Sequence, residues 1–264
     1  MAAVAATHDC IGGWVISLYP GEPKGGSTQA LPCPVCRPTK TIEQRLMACG
    51  VPPKEASYTA DGLTSVGRRL LEELRASARK GEGAFIVGPN GREKTGAPVV
   101  LLREVLLGEL EVGGATPGKA PTVRYVYVPQ MVSRLRDLGR SGRDAIDRAR
   151  AADGLTATTE EELLEDFGLS ADLVLFDDLG AENLTDWTRS MVRLALWKRQ
   201  TTGKAYIANT NLLLEKDPKR PEVPLFLDVY GSGVLSRLKE SRIIVVPETV
   251  PDRRDERRRK GATS

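Results

Sequence analysis

Gly88-Pro89-Asn90-Gly91-Arg92-Glu93-Lys94-Thr95 follows the apolar run Gly83-Ala84-Phe85-Ile86-Val87 and precedes a segment rich in leucine and valine. The order this predicts is strand, loop, helix. The spacing fits the phosphate-loop pattern G-x-x-x-x-G-K-[ST] at every position but one. In such a loop, backbone N–H groups and the first turn of the next helix converge on the β-phosphate of a nucleotide. The lysine reaches the β- and γ-phosphates, and the threonine hydroxyl holds Mg²⁺. Gly88, Pro89, Asn90, Gly91, Lys94 and Thr95 are therefore the expected nucleotide contacts. The exception is Glu93, which stands where the pattern has glycine.

Downstream, Asp172-Leu173-Val174-Leu175-Phe176-Asp177-Asp178 is an unbroken apolar run ending in two acids. It reads as a buried parallel strand whose C-terminal end presents carboxylates, which is where an α/β sheet builds its site. Coming after a phosphate loop, this is the Walker B pattern, with Asp177 positioning Mg²⁺ and Asp178 orienting the attacking water. Lys204-Ala205-Tyr206-Ile207-Ala208 is expected to be another strand, ending in Asn209-Thr210-Asn211, and a polar residue at that strand end can contact the γ-phosphate or the water. Thr122 to Val128 alternates like a half-buried strand and runs into a helix at Pro129. Arg242 to Val246 is a last strand. Helices are expected at Ser65–Lys80, from Val99 to Leu110, and from Thr185 through Trp197.

Upstream, the only histidine and all the cysteines, His8, Cys10, Cys33, Cys36 and Cys49, lie in the first 50 residues. Cys33-Pro34-Val35-Cys36 has the spacing that lets two thiolates grip one tetrahedral Zn²⁺. Cys10, followed by Gly12-Gly13-Trp14-Val15, reads as a second turn entering a strand. A complete ribbon has a cysteine where this chain has Thr7. The candidate ligand set is therefore His8, Cys10, Cys33 and Cys36. Cys49 competes for the fourth place, and reduced thiols that bind nothing are the alternative. Val51-Pro52-Pro53 ends the helical pattern around Ile42, Leu46 and Met47, and Lys54 to Thr64 reads as a surface-hugging connector.

The formal charge is only +3 over 264 residues, but the arginines are clustered. Arg134, Arg136, Arg140 and Arg143 lie close together, and Arg253, Arg254, Arg257, Arg258 and Arg259 crowd the end of the chain. The first group either tracks a nucleic-acid backbone or forms an exposed basic helix. No apolar run approaches the roughly 20 residues that span a bilayer, and the alanine-rich start lacks the basic and apolar regions of a signal peptide. A cytoplasmic, reducing setting is expected, with no membrane partner.

Taken together, these residues resemble the bacterial replicative helicase loaders of the DnaC type and the related IstB-type transposition ATPases, a branch of the AAA+ proteins. The resemblance is carried by Gly88-Pro89-Asn90-Gly91 with Lys94-Thr95, by Asp177-Asp178-Leu179-Gly180-Ala181-Glu182, by Thr210-Asn211-Leu212, and by Tyr230-Gly231 through Ser236-Arg237-Leu238. It covers roughly residues 75 to 254. The fold it implies is an α/β, P-loop ASCE three-layer sandwich on a five-stranded parallel sheet, preceded by a small zinc-ribbon-like domain. The expected division is 1–50 zinc-binding N-terminal domain, 51–74 linker, 75–250 AAA+ ATPase domain and 251–264 basic tail, the last expected to be disordered. The resemblance further implies ATP and Mg²⁺ held between subunits of an open ring or spiral, single-stranded DNA within the ring, and a replicative helicase as protein partner. By that reading Asn211 is the sensor at a strand end. Arg237 is the arginine finger reaching a neighbour's ATP, and Arg254 a second, sensor-type arginine.

Two departures bear on activity. A carboxylate at Glu93 is expected to repel a polyphosphate at close range and to crowd a backbone that glycine would leave open. Pro98 either lies inside the second turn of the next helix, at a cost of about 3 kcal/mol, or starts that helix and removes its N-terminus from the phosphates. Besides a working or slowed ATPase, the sequence leaves open a nucleotide-independent adaptor on DNA and helicase, and a transposition helper of the IstB type.

Overall fold

The computed structural model describes residues 14–18, 28–32, 41–89, 91, 93–140, 165, 169–182 and 184–247, with side chains for all but 14–18, 28–32, 137–140 and 237. Seven strands are described among them: β1 (Trp14–Leu18), β2 (Thr28–Pro32), β3 (Ala84–Val87), β4 (Val123–Tyr127), β5 (Leu173–Leu179), β6 (Ala205–Thr210) and β7 (Arg242–Val245). The helices, numbered here in chain order, are α1 (Ile42–Ala48), α2 (Pro53–Ala56), α3 (Ser65–Lys80), α4 (Gly96–Leu107), α5 (Val128–Arg140), α6 (Asp186–Thr201), α7 (Phe226–Tyr230) and α8 (Ser232–Leu238).

Five strands form one sheet in the order β4-β5-β6-β3-β7, and every neighbouring pair in it is parallel. All five therefore end at the same edge. β6 is inserted between β3, which leads into the phosphate loop, and β5, which ends in the paired aspartates. Its terminal residues, Asn209 and Thr210, thus sit between the two motifs.

Successive side chains of a strand point to opposite faces, and each central strand buries both. Ala84 and Ile86, Leu173 and Leu175, and Ala205 and Ile207 pack with α1 to α4 on one side. Phe85 and Val87, Val174 and Phe176, and Tyr206 and Ala208 pack with α5, α6 and α7 on the other. The result is the expected three-layer α/β sandwich with a five-stranded parallel sheet.

Local signals set the helix ends. Thr64 caps α3 by accepting from the Gly67 amide, and Gly81 ends it with φ 73°. Leu70, Leu71, Leu74 and Ala78 form its buried stripe. Thr185 and Thr188 form a reciprocal capping box on α6. Val51, and Ala56 and Leu63 from the stretch read as a surface connector, are buried in the first core. Arg103 of α4 reaches back to Glu43 Oε1 (2.8 Å) and to the Ala56 carbonyl (2.7 Å). The Tyr125 amide donates to the Cys49 carbonyl at 2.9 Å, so residues after α1 are tied to the edge of the sheet.

β1 and β2 pair as an antiparallel hairpin. Its first strand begins at Trp14, as the turn after Cys10 predicts, but His8, Cys10, Cys33 and Cys36 lie outside the described residues. So does the tail, 251–264. Among the described residues no cluster of His, Cys, Asp and Glu is placed to hold a metal, and no helix is long and apolar enough to cross a membrane.

Candidate nucleotide site

The phosphate loop leaves β3 at Gly88, whose amide donates to the Thr210 carbonyl at 3.3 Å. Gly91 has φ 76° and Glu93 φ 63°. Both lie in the left-handed region, where glycine is free and a side chain costs about 1–2 kcal/mol. The chain bears that cost at Glu93 because its carboxylate has a seat elsewhere. Glu93 Oε2 accepts from Thr64 Oγ1 (2.5 Å) and from the Thr64 amide (3.1 Å), which also reaches Oε1 (3.2 Å). Thr64 is the cap of α3, so the anion sits at the positive end of that helix, where such charges are favoured.

The expectation of a carboxylate facing the phosphates is thus corrected to one bonded to Thr64. The side chain is buried and bonded to the start of α3 because that N-terminus offers donors. Gly67 leaves the room, since a Cβ at position 67 would lie 2.1 Å from Glu93 Oε2. A glycine near the start of a helix is ordinarily improved by alanine, by up to about 1 kcal/mol. Here Gly67→Ala is expected to destabilise by about 1–2 kcal/mol, since it drives the carboxylate off Thr64. In a Glu93→Gly background the same change becomes neutral or stabilising. Urea unfolding of the four combinations measures this coupling.

Pro98 takes neither of the two expected positions. α4 begins at Gly96, directly after Lys94-Thr95, which makes Pro98 its third residue. The helix N-terminus stays at the loop, and the cost of Pro98 is confined to one missing amide in the first turn.

Lys94 is buried, and its ammonium donates to the Pro89 carbonyl and to Asn211 Oδ1, both at 2.6 Å. Thr95 Oγ1 donates to Asp177 Oδ1 at 2.9 Å. Asp177 Oδ1 also accepts from Asn209 Nδ2, and Asp177 Oδ2 from the Tyr125 hydroxyl. Asp178 is half-buried with φ 60°, at a point where the β5–β6 register shifts between Phe176 and Leu179. Its amide is held by Asn209 Oδ1 (2.8 Å), and its Oδ1 receives Asn211 Nδ2 at 3.4 Å. Strained residues of this kind persist where the surroundings over-determine them.

Lys94, Thr95, Asp177, Asp178 and Asn211 are thus brought together at one edge of the sheet, with Gly88, Pro89 and Gly91 in the same loop. A hydroxyl beside a carboxylate is a hard-oxygen pair of the kind Mg²⁺ takes, and a buried lysine at a loop after a strand suits phosphate oxygens. The residues present therefore fit Mg²⁺ and a nucleotide polyphosphate. Arg134 and Arg136 lie half-buried on α5, and Arg140 is on the same helix. Arg237 is in α8. Asn90, Arg143 and Arg254 lie outside the described residues.

Tyr125 and Asn209 are site residues that the motifs did not single out for a role. Their signal was faint: Tyr125 falls on the inward phase of β4, and Asn209 is a polar residue in a strand buried along its whole length. Burial, reinforced by the Asp177 carboxylate, pushes the Tyr125 hydroxyl far above the ordinary tyrosine range. Tyr230 is shifted the same way by burial and by Glu182, to which its hydroxyl donates. The native state thus keeps protons that the unfolded chain releases near pH 10, the ordinary tyrosine value. The stability from these two groups is complete below that pH and is lost as pH rises above it. Tyr125→Phe and Tyr230→Phe are each expected to flatten the fall in unfolding free energy between neutral pH and alkaline conditions, as read by urea titration.

No family model matches the chain. It is 25% identical over 182 residues to the zinc import ATP-binding protein ZnuC of Pseudomonas savastanoi pv. phaseolicola (strain 1448A / Race 6), a match taking in 67% of this chain. The chain spans 59% of that relative's length. Among solved structures, the DnaC helicase loader superposes with TM-score 0.50 at 21% identity, over 74% of this chain and 99% of that one. DnaI gives TM-score 0.50 at 16% identity over 79% and 99%, and a DNA replication initiation factor 0.50 at 16% over 78% and 55%. Such identities speak for shared architecture. The chain has the fold of the AAA+ P-loop ATPases, in the three-layer form it shares with the DnaC helicase loader and DnaI.

Proposed function

We propose that this protein is an AAA+ ATPase of DNA replication that binds ATP·Mg²⁺ between subunits and single-stranded DNA, and delivers a replicative helicase. The observation that carries the reading is the convergence of Lys94, Thr95, Asp177, Asp178 and Asn211 at the C-terminal ends of β3, β5 and β6. Bound ATP would supply the transferable phosphoryl group. Lys94 holds the polyphosphate, Thr95 and Asp177 hold the metal, Asp178 orients the attacking water and takes its proton, and Asn211 is the sensor at the strand end. Arg237 of a neighbouring subunit and Arg254 neutralise the charge that develops. Arg134, Arg136, Arg140 and Arg143 hold the DNA backbone, and the cysteine-bearing front end is a Zn²⁺ domain. The fold shared with the DnaC helicase loader supports the choice of client. A nucleotide-independent adaptor is the second reading, favoured by the left-handed backbone at Glu93.

ATP binding and turnover separate the two. With and without single-stranded DNA, the native chain is expected to bind ATP and Lys94→Ala to bind at least roughly tenfold more weakly. A native chain that binds only once Glu93→Gly is introduced would establish the adaptor and overturn the ATPase.

A further inference from the structure

We infer that Asn209 is the positioning residue that locks the phosphate loop to both Walker B aspartates, and that it does so by taking the hydrogen bond Pro98 removes from α4. The inference rests on the nucleotide-site reading for its functional half and on the fold alone for its structural half.

The helical ladder at the start of α4 shows the gap. The Ala97 amide donates to the Glu93 carbonyl (3.2 Å) and the Val99 amide to the Thr95 carbonyl (3.1 Å). Between these two bonds the partner of the Lys94 carbonyl would be the amide of residue 98, and proline has none. That carbonyl instead receives Asn209 Nδ2 at 3.1 Å, from a strand of the sheet 115 residues away in sequence. A side-chain amide thus replaces a missing backbone donor.

The same side chain has two more anchors. Its Nδ2 also donates to Asp177 Oδ1, and its Oδ1 accepts from the Asp178 amide at 2.8 Å. Donors meet acceptors throughout, which fixes the orientation of the amide: the flipped form would face a nitrogen to an N–H and an oxygen to two oxygens. Asn209 is 1% exposed, so each lost bond would strand a polar group away from water. It touches neither the polyphosphate-binding ammonium nor the half-buried Asp178 carboxylate directly. Its action runs through three others: the backbone of Lys94, the carboxylate paired with Thr95, and the strained backbone of Asp178. Displacing the loop therefore displaces the acids, and Pro98, which has no amide to offer the Lys94 carbonyl, leaves room for the bond from the sheet.

The experiment is a double-mutant cycle of Asn209→Ala and Pro98→Ala with two readouts. The first is the thermal midpoint of the ligand-free protein. Asn209→Ala is expected to lower it by roughly 5–10 °C in the native background and by about half as much beside Pro98→Ala, because the alanine introduced by that change supplies its own backbone amide to the Lys94 carbonyl. Should Asn209→Ala not fold, Asn209→Ser in the same two backgrounds replaces it. The second readout is the affinity for a fluorescent ATP analogue with and without Mg²⁺. Asn209→Ala is expected to lose about 10–100-fold of the tightening that Mg²⁺ brings, and Pro98→Ala is expected not to restore it, since the contacts to Asp177 and Asp178 stay absent. An equal midpoint loss in both backgrounds would overturn the link between Asn209 and Pro98. Unchanged Mg²⁺ dependence in Asn209→Ala would overturn the positioning role. A native chain that binds no nucleotide would defeat the proposed function, while the midpoint cycle still decides the link itself.

Discussion

Asp178→Asn is expected to lower ATP turnover by about 10²–10⁴-fold and to leave nucleotide affinity within roughly threefold, since no contact to the polyphosphate is lost. The substitution is chosen for its backbone. Asp178 holds φ 60° at the irregularity that ends β5, and asparagine adopts that conformation more readily than other side chains. The amide bond to Asn209 Oδ1 does not depend on the side chain and survives. The carboxylate's shape survives too, so what disappears is the capacity to accept a proton. Alanine at this position would mix that loss with added strain. Turnover under saturating ATP and Mg²⁺, with single-stranded DNA present, is compared with direct binding of a fluorescent analogue. Turnover within tenfold of native would remove Asp178 from the role of base. A parallel fall in affinity would show that the whole loop had moved.

The parts of the site that were legible in the sequence are those set by local chemistry. An apolar run ending in two aspartates announces a buried parallel strand because no other element hides both faces and then presents charge. Thr64, Gly81 and Thr185 mark helix ends through their own hydrogen bonds and torsions. The less legible parts depend on partners far along the chain. Glu93 reads as a charge in a phosphate loop until Thr64 and the space above Gly67 are known, and these are separated from it by a helix and a strand. Pro98 reads as a defect because sequence shows the missing amide and not the Asn209 side chain that replaces it. Both departures from the motif are answered by tertiary contacts, and neither contact has a spacing rule. Where the chain resembles a known pattern, the exceptions to the pattern thus marked the places where the fold had built something of its own.

Arg199→Met is expected to destabilise the fold by about 3–5 kcal/mol, or roughly 10 °C in midpoint, although Arg199 lies in no motif. Its guanidinium is fully buried in the layer between α6 and the sheet. It donates to the carbonyls of Leu169, Ala171, Asp172 and Ala205, which lie before and at the N-terminal ends of β5 and β6. One planar fork thus joins the two strands at the end opposite the site. Methionine fills a similar volume but leaves those carbonyls facing apolar side chains, and each such group costs about 1–3 kcal/mol when nothing takes the donor's place. Arg199→Lys should recover less than half of the loss, because a point ammonium lacks the planar fork that spans these carbonyls. The pH dependence supplies an independent mark. Burial pulls the Arg199 guanidinium below its ordinary range, down to about 10, so above that pH the unfolded chain holds its proton more firmly than the native state does, and stability from this group rises with pH. Tyr125 and Tyr230 act in the opposite direction over the same range. Removing Arg199 takes away the only one of these three contributions that rises, so the alkaline loss of stability should be steeper in Arg199→Met than in the native protein. A variant within about 2 °C of native at neutral pH would show that water or neighbouring amides satisfy the four carbonyls. An unchanged alkaline slope would show that the buried charge is not felt in the folding equilibrium.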